Sequence, residues 1–220
     1  MQPVEIQITY DFICPWCWIG HRHLQTALAQ MPDIAVFFRY VPYELNPGMP
    51  KEGADRRAYR SAKFGSWARS QAMDADVTLA GQHAGAEFRY ERVAITPNTR
   101  LAHRLMVHAS SQGDAAKTEA LFESVFHAYF SEGQDIGKAE VLATLAGQAG
   151  FDAQEARAYL ATSAGEREVV AAELQAQVNG VRSVPTLRIG NTPVSGAQPP
   201  SALVQALRQA AAQSAAVPAV

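Results

Sequence analysis

The only two cysteines of the chain, Cys14 and Cys17, stand three positions apart where one kind of periodicity gives way to another. Before them Val4, Ile6, Ile8 and Tyr10 alternate with other residues, the period-two pattern of a strand. After them Ile19, Leu24, Ala27, Leu28 and Met31 recur at helical spacing until Pro32-Asp33 stops the helix. Ile34–Val41 is again rich in β-formers and closes at Pro42 and Asn46-Pro47-Gly48. The chain therefore starts as a β-α-β unit, with its Cys-x-x-Cys at the first strand-to-helix junction. A disulfide across so short a loop constrains little of the unfolded chain, so it is a poor staple. Two cysteines also cannot build the multi-bridge framework of a small secreted domain. The pair needs a chemical explanation.

The middle of the chain is helical in character. Residues 54–72 are polar and rich in alanine and arginine, and a further helix is expected from a cap at Asn98 or Thr99. Asp114 opens another, with Leu121, Phe122, Val125, Phe126 and Tyr129 as its apolar, core-facing stripe. Helices follow over 138–149, from Asp152 with Glu155 at capping spacing, and over 165–178. Strands return at Thr186–Ile189 and Thr192–Ser195 around Gly190-Asn191, and a last helix starts near Pro199-Pro200-Ser201.

At 220 residues, with 48% apolar and 18% charged residues, the chain can bury a sizeable core. A net charge of −2 without a basic block lacks the footprint of a nucleic-acid binder. No apolar run approaches the 18 or so residues of a membrane span, and no signal peptide is visible before Cys14, so a cytoplasmic setting is expected.

Free amide groups and the positive end of the dipole at a helix N-terminus stabilise a thiolate, the setting in which thiols fall to pKa values of roughly 3.5–7.5. Cys14 is placed there as the attacking group. Pro15 stands where a helix tolerates proline, and Cys17, one turn on, shares the face of Cys14 and would resolve a mixed disulfide. Trp16 would supply apolar contact surface beside the sulfur. A zinc set of Cys14, Cys17 and His21 lacks a well-placed fourth ligand, so no metal is expected. Asp11 reads as a loop or cap residue before a proton acceptor; Arg56, Arg57, Arg60 and Arg69 read as a solvated helix face.

Several stretches together resemble the DsbA-like oxidoreductases of the thioredoxin fold, most closely the FrnE-like branch with its polyketide-biosynthesis dithiol-disulfide isomerases. They are Asp11-Phe-Ile-Cys-Pro-Trp-Cys-Trp-Ile-Gly20, Thr96-Pro-Asn-Thr99 with Ala102-His-Arg-Leu105, and Phe130-Ser-Glu-Gly133 with Asp135-Ile136. Gly180-Val-Arg-Ser-Val-Pro185 and Val194-Ser-Gly-Ala-Gln198 complete the set. The resemblance implies an α/β thioredoxin fold, β-α-β … α-β-β-α, interrupted by a large all-helical insertion. Residues 1–45 and 166–213 would form the thioredoxin-like part, 46–165 the insertion and 214–220 a disordered tail.

It also implies a dithiol–disulfide exchange at Cys14 and Cys17, with Pro185 as a cis-proline beside them, although an X-Pro bond by itself is far more often trans. Val184 would then offer backbone groups to an extended substrate. Asn98 and His103 fall on the helix that would line the cleft, a surface position being the competing reading for His103. Many thioredoxin-fold enzymes carry a buried acid six positions before the first cysteine; here that position is Ile8. No resident cofactor is implied, glutathione being a possible redox co-substrate. The expected partners are protein or small-molecule thiols and disulfides, with neither nucleic acid nor membrane; monomer and homodimer stay open. Two other readings compete: a glutathione-dependent isomerase or transferase of the 2-hydroxychromene-2-carboxylate isomerase or kappa class, in which a serine usually replaces Cys14, and a redox-linked polypeptide holdase.

Overall fold

A computed structural model describes the backbone of residues 3–216 and the side chains of residues 3–213. The alternating start becomes β1 (Val4–Tyr10), the helical pattern after the cysteines α1 (Pro15–Ala29) and the next β-rich run β2 (Val36–Pro42). β2 lies parallel to β1, from Val4 opposite Val36 to Tyr10 opposite Pro42. The returning strands β5 (Thr186–Ile189) and β6 (Thr192–Ser195) complete a mixed sheet of order β2-β1-β5-β6, with β5 antiparallel to β1. The terminal helix α9 (Pro200–Ala216) packs on β1, β5 and α1. It runs into the segment expected to be a tail from 214; residues 217–220 of that expectation lie outside the described residues.

Between β2 and β5 the chain is mainly helical: α2 (Arg56–Phe64), α3 (Trp67–Ala84), α4 (Arg100–Ser111), α5 (Ala115–Phe130), α6 (Ala139–Gln148), α7 (Ala153–Ala161) and α8 (Glu166–Val178). Two features go beyond the sequence pattern. The single stretch expected over 54–72 is broken at Gly65, which takes φ 91°, and Ser66 caps a new helix by accepting the Arg69 N–H. The segment also holds a short two-stranded ladder, β3 (Ala54–Asp55) with β4 (Ile95–Thr96), which ties the start of α2 to the approach to α4. The expected N-caps at Asp114 and Asp152 both form, their carboxylates accepting first-turn N–H groups.

The helical segment docks on the sheet through aromatic rings. Phe122 of α5 lies 4.7 Å from Tyr10, 4.6 Å from Tyr40, 4.8 Å from His21 and 5.1 Å from Phe126, ring centroid to centroid. Tyr10, Phe12, Phe122 and Phe126 are all fully buried. Trp18 of α1 joins the same contact by donating its indole N–H to Glu123 at 2.8 Å. His21, one turn further along α1, is also buried, its Nε2 3.4 Å from Glu123 Oε1 without a hydrogen bond. Burial pushes the His21 imidazole down to about 3, with Arg22 adding to the effect. Burial also raises the Glu123 carboxyl, so the charged forms of both groups are disfavoured at this contact.

Phe122→Ala removes a ring that touches three elements at once, and a loss of about 3–5 kcal/mol is expected by chemical denaturation. A loss below about 1 kcal/mol would contradict the docking role. The unfolded His21 ring protonates near 6.5 while the folded ring stays neutral. Its contribution to stability is therefore whole above pH ~6.5 and declines as pH falls from there toward 3, because the unfolded state binds the extra proton. Nitrogen NMR of the folded protein should show a neutral His21 at pH 5; a midpoint near 6.5 would contradict the assignment.

Candidate active site

Cys14 occupies the N-cap of α1 with extended backbone (φ −92°, ψ 107°), and Pro15 opens the helix. No side chain caps this end, so first-turn N–H groups surround the cysteine, and the Cys17 N–H donates to the Cys14 carbonyl at 3.0 Å. The Cys14 N–H donates to the Asp11 carbonyl at 3.0 Å, which holds the turn between β1 and α1. Both cysteines are free thiols. Cys14 is 6% exposed and Cys17 is 1% exposed, which sets one sulfur at the cleft and the other behind it. Burial pushes the Cys17 thiol well up, with the Cys14 contact adding to the rise.

The loop before β5 closes over the pair. The Val184–Pro185 peptide is cis, and the Cys14 thiol donates to the Val184 carbonyl with sulfur and oxygen 3.6 Å apart. Gly20 of α1 admits this loop: a Cβ there would stand 3.3 Å from the Pro185 ring and 3.4 Å from Ala197. The fold thus brings Val184 and Pro185 to α1 from 170 positions away.

Cys14, Pro15 and Trp16 line a cleft of about 190 Å³ against α2 and α3. Trp16 is 43% exposed at its mouth. The far wall carries Arg56, Arg60 and Lys63, at helical spacing on one face of α2, together with Tyr59 and Phe64. Arg56 and Arg60 are therefore not part of a solvated face, while Arg57 and Arg69 are exposed. Arg56 is buried and donates to Asp74 at 2.7 Å beneath the Tyr90 ring; Arg60 donates to the other oxygen of Asp74 at 2.9 Å. Lys63 donates to Asn46 and Tyr59, both uncharged. Three cations thus face one carboxylate in this wall. The face was legible in the 56-60-63 spacing, whereas its inward direction depends on Asp74 of the next helix.

Asn98 and His103 are not brought to this cleft. Asn98 accepts the Arg100 N–H at the start of α4 and donates to the Met49 carbonyl, and it lines a separate hollow with Pro47 and Arg104. His103 is wholly buried, neither a cleft wall nor a surface residue, with Nε2 3.3 Å from Asp11 Oδ1. Asp11 is equally buried, and its other oxygen accepts the Leu45 N–H at 2.7 Å. It closes a loop, as expected, and is also the partner of a histidine. His21 faces Glu123, and among the described residues no set of three or more metal-ligating side chains is assembled. No described helix is long and apolar enough to cross a membrane.

The chain is similar to several known proteins. The uncharacterized protein YwbO of Bacillus subtilis is 27% identical over 195 residues, which cover 88% of this chain and 90% of that protein. A structure described as a probable DsbA oxidoreductase from Streptomyces coelicolor superposes with a TM-score of 0.88 at 30% identity, over 99% of this chain and 94% of that one. A 2-hydroxychromene-2-carboxylate isomerase shares the fold at a TM-score of 0.73 and 17% identity, over 98% of this chain and all of that one. The model of the DSBA-like thioredoxin domain matches residues 5–208, from β1 into α9 and so through both the cysteine junction and the Val184–Pro185 loop; the chain belongs to that family.

Proposed function

We propose that the protein is a thiol–disulfide oxidoreductase in which Cys14 exchanges with the substrate and Cys17 resolves the mixed disulfide. The observation that carries this reading is the contrast between the two thiols. Cys14 lies at an uncapped helix N-terminus beside the cleft, under the Val184 carbonyl, and Cys17 lies buried one turn behind it. In the reducing direction the Cys14 thiolate attacks a substrate disulfide and releases one thiolate. Cys17 then gives up its proton and attacks the Cys14 sulfur, releasing the second thiolate as the Cys14–Cys17 disulfide forms. The dithiol is oxidised by two electrons and the substrate is reduced by two; the oxidising direction is the reverse. The Val184 backbone, next to Cys14, is the station for an extended substrate segment.

The cationic wall of Arg60 and Lys63 favours small disulfides that carry carboxylates. Glutathione has that chemistry and is the redox co-substrate we propose. Both cysteines belong to the site, leaving none for a structural disulfide, which supports a cytoplasmic setting.

Cys14→Ser should abolish reduction of a protein disulfide such as that of insulin, and Cys17→Ser should accumulate mixed disulfides visible by mass spectrometry. Turnover that survives Cys14→Ser would overturn the reading. Iodoacetamide should label Cys14 well before Cys17 in the folded protein. Lys63→Glu should raise KM for 5,5′-dithiobis(2-nitrobenzoate), a dianion, by roughly 2–5-fold, the range of one exposed charge pair. It should leave KM for neutral bis(2-hydroxyethyl) disulfide unchanged; equal effects on both would remove charge from the account of the cleft.

A further inference from the structure

Alternation along β1 puts Ile6, Ile8 and Tyr10 on one face of the sheet and Gln7 and Thr9 on the other. The first face joins Leu187 and Ile189 of β5 and Leu203 and Leu207 of α9 in the main core. The second carries a polar ladder. Thr9 stands opposite Thr186 of β5, and Thr186 opposite Ser195 of β6. In the next row Gln7 stands opposite Arg188, and Arg188 opposite Pro193. The segment that leads from α8 toward β5, residues 179–183, forms a side wall, and together they enclose a hollow of about 320 Å³. It shares no lining residue with the cleft at Cys14.

Two independent observations make this hollow a ligand site. The first is a hydroxyl. Thr9 lines the hollow, yet the residue is only 1% exposed and its Oγ1 has no hydrogen-bond partner. A buried hydroxyl without a partner is destabilising, and a valine of nearly the same shape would avoid the cost. The second is charge. Arg182 belongs to the wall and Arg188 to the sheet, and no acidic residue lines the hollow with them. Glu5, two residues before Gln7 on the same face, reaches instead to Arg39 of β2 at 3.9 Å. Exposed arginines are ordinary on a sheet face. Two of them around a hollow without an acid, above a buried hydroxyl in want of a partner, form a donor set awaiting oxygen atoms and negative charge. Ser183, Ser195 and the Gln7 amide add further donors, whereas the Thr186 hydroxyl already donates to the Ser183 carbonyl at 2.8 Å. The volume is near the lower end of ligand pockets, which start at roughly 300 Å³, and so suits a compact molecule.

We propose that this hollow binds a small dianion, a phosphate monoester or a short dicarboxylate, with Arg182 and Arg188 matching its charge and the Thr9 hydroxyl donating to one of its oxygens. The bound oxygen removes the cost of the buried hydroxyl, and the two guanidinium groups select a doubly charged ligand over a neutral one. The site lies next to the reacting centre in the chain: Ser183 of its wall precedes Val184, whose carbonyl accepts from the Cys14 thiol. Binding there needs no exchange at the cysteines, so the proposal stands apart from the proposed function.

The test is a titration of the reduced full-length chain, followed by amide NMR, with glycerol 3-phosphate, with succinate and with uncharged glycerol. At least one of the two anions should give saturable shifts at the amides of Thr9, Ser183, Thr186 and Arg188, and glycerol should give none. The tighter of the two tells a phosphate site from a dicarboxylate site. Arg188→Gln should weaken that anion at least ~10-fold, and Thr9→Val by a similar factor, the range of a hydrogen bond to a charged group. Arg182→Gln decides the charge if Arg188→Gln does not fold. Free of ligand, Thr9→Val should be at least as stable to urea as the wild type, because it loses no hydrogen bond. No saturable shift from either anion up to ~10 mM would overturn the proposal. So would shifts confined to Cys14, Trp16 and Lys63, unchanged affinity in the arginine variant, or a free Thr9→Val protein less stable than the wild type.

Discussion

The packing of Phe122 against Tyr10, Tyr40 and His21 is the contact on which the rest of the architecture depends. A four-stranded sheet with α1 and α9 would expose the end of β1 where the cysteine turn begins. The rings of α5 cover that end, and they set the position of the helical segment with respect to the cysteines. The cleft at Cys14 is a consequence, since its near wall belongs to the β1–α1 junction and its far wall to α2 and α3. Burial of aromatic area is non-directional, but edge-to-face rings restrict the angle at which the two parts meet.

Within that frame the two thiols differ by position more than by chemistry. Cys14 has helix amides on one side and the Val184 carbonyl on the other, while Cys17 has the core around it. Cys14 borders the cleft, and Cys17 lies behind it. The same burial that keeps Cys17 from outside reagents raises the cost of its thiolate, and so makes the destination of its proton a structural question.

Much of the site was legible in the sequence because it is local. A strand pattern, a proline one residue into a helix and two cysteines three apart are all read within one turn, and the same holds for the Asp114 and Asp152 caps. The resemblance added Val184 and Pro185, which no local rule would have joined to Cys14. Asn98 and His103 went differently. Their helix was anticipated, but which way each side chain faces depends on Met49, Asp11 and Leu45, far away in the chain. Arg56 and Arg60 were misplaced for a related reason: an arginine-rich helix normally turns its charges to water, and only the Asp74 carboxylate from α3 makes it favourable to turn them inward.

By itself, then, the sequence determined the fold class and the junction that carries the cysteines, because periodicity, capping and turn chemistry operate over a few residues. The tertiary structure alone decided what surrounds the reacting sulfurs: the Val184 carbonyl from 170 positions away, the cationic wall of α2, and the meeting of Asp11 with His103 across 92. Those neighbours are chosen by how helices pack on a sheet, through contacts whose partners lie in separate segments, and no local pattern specifies them.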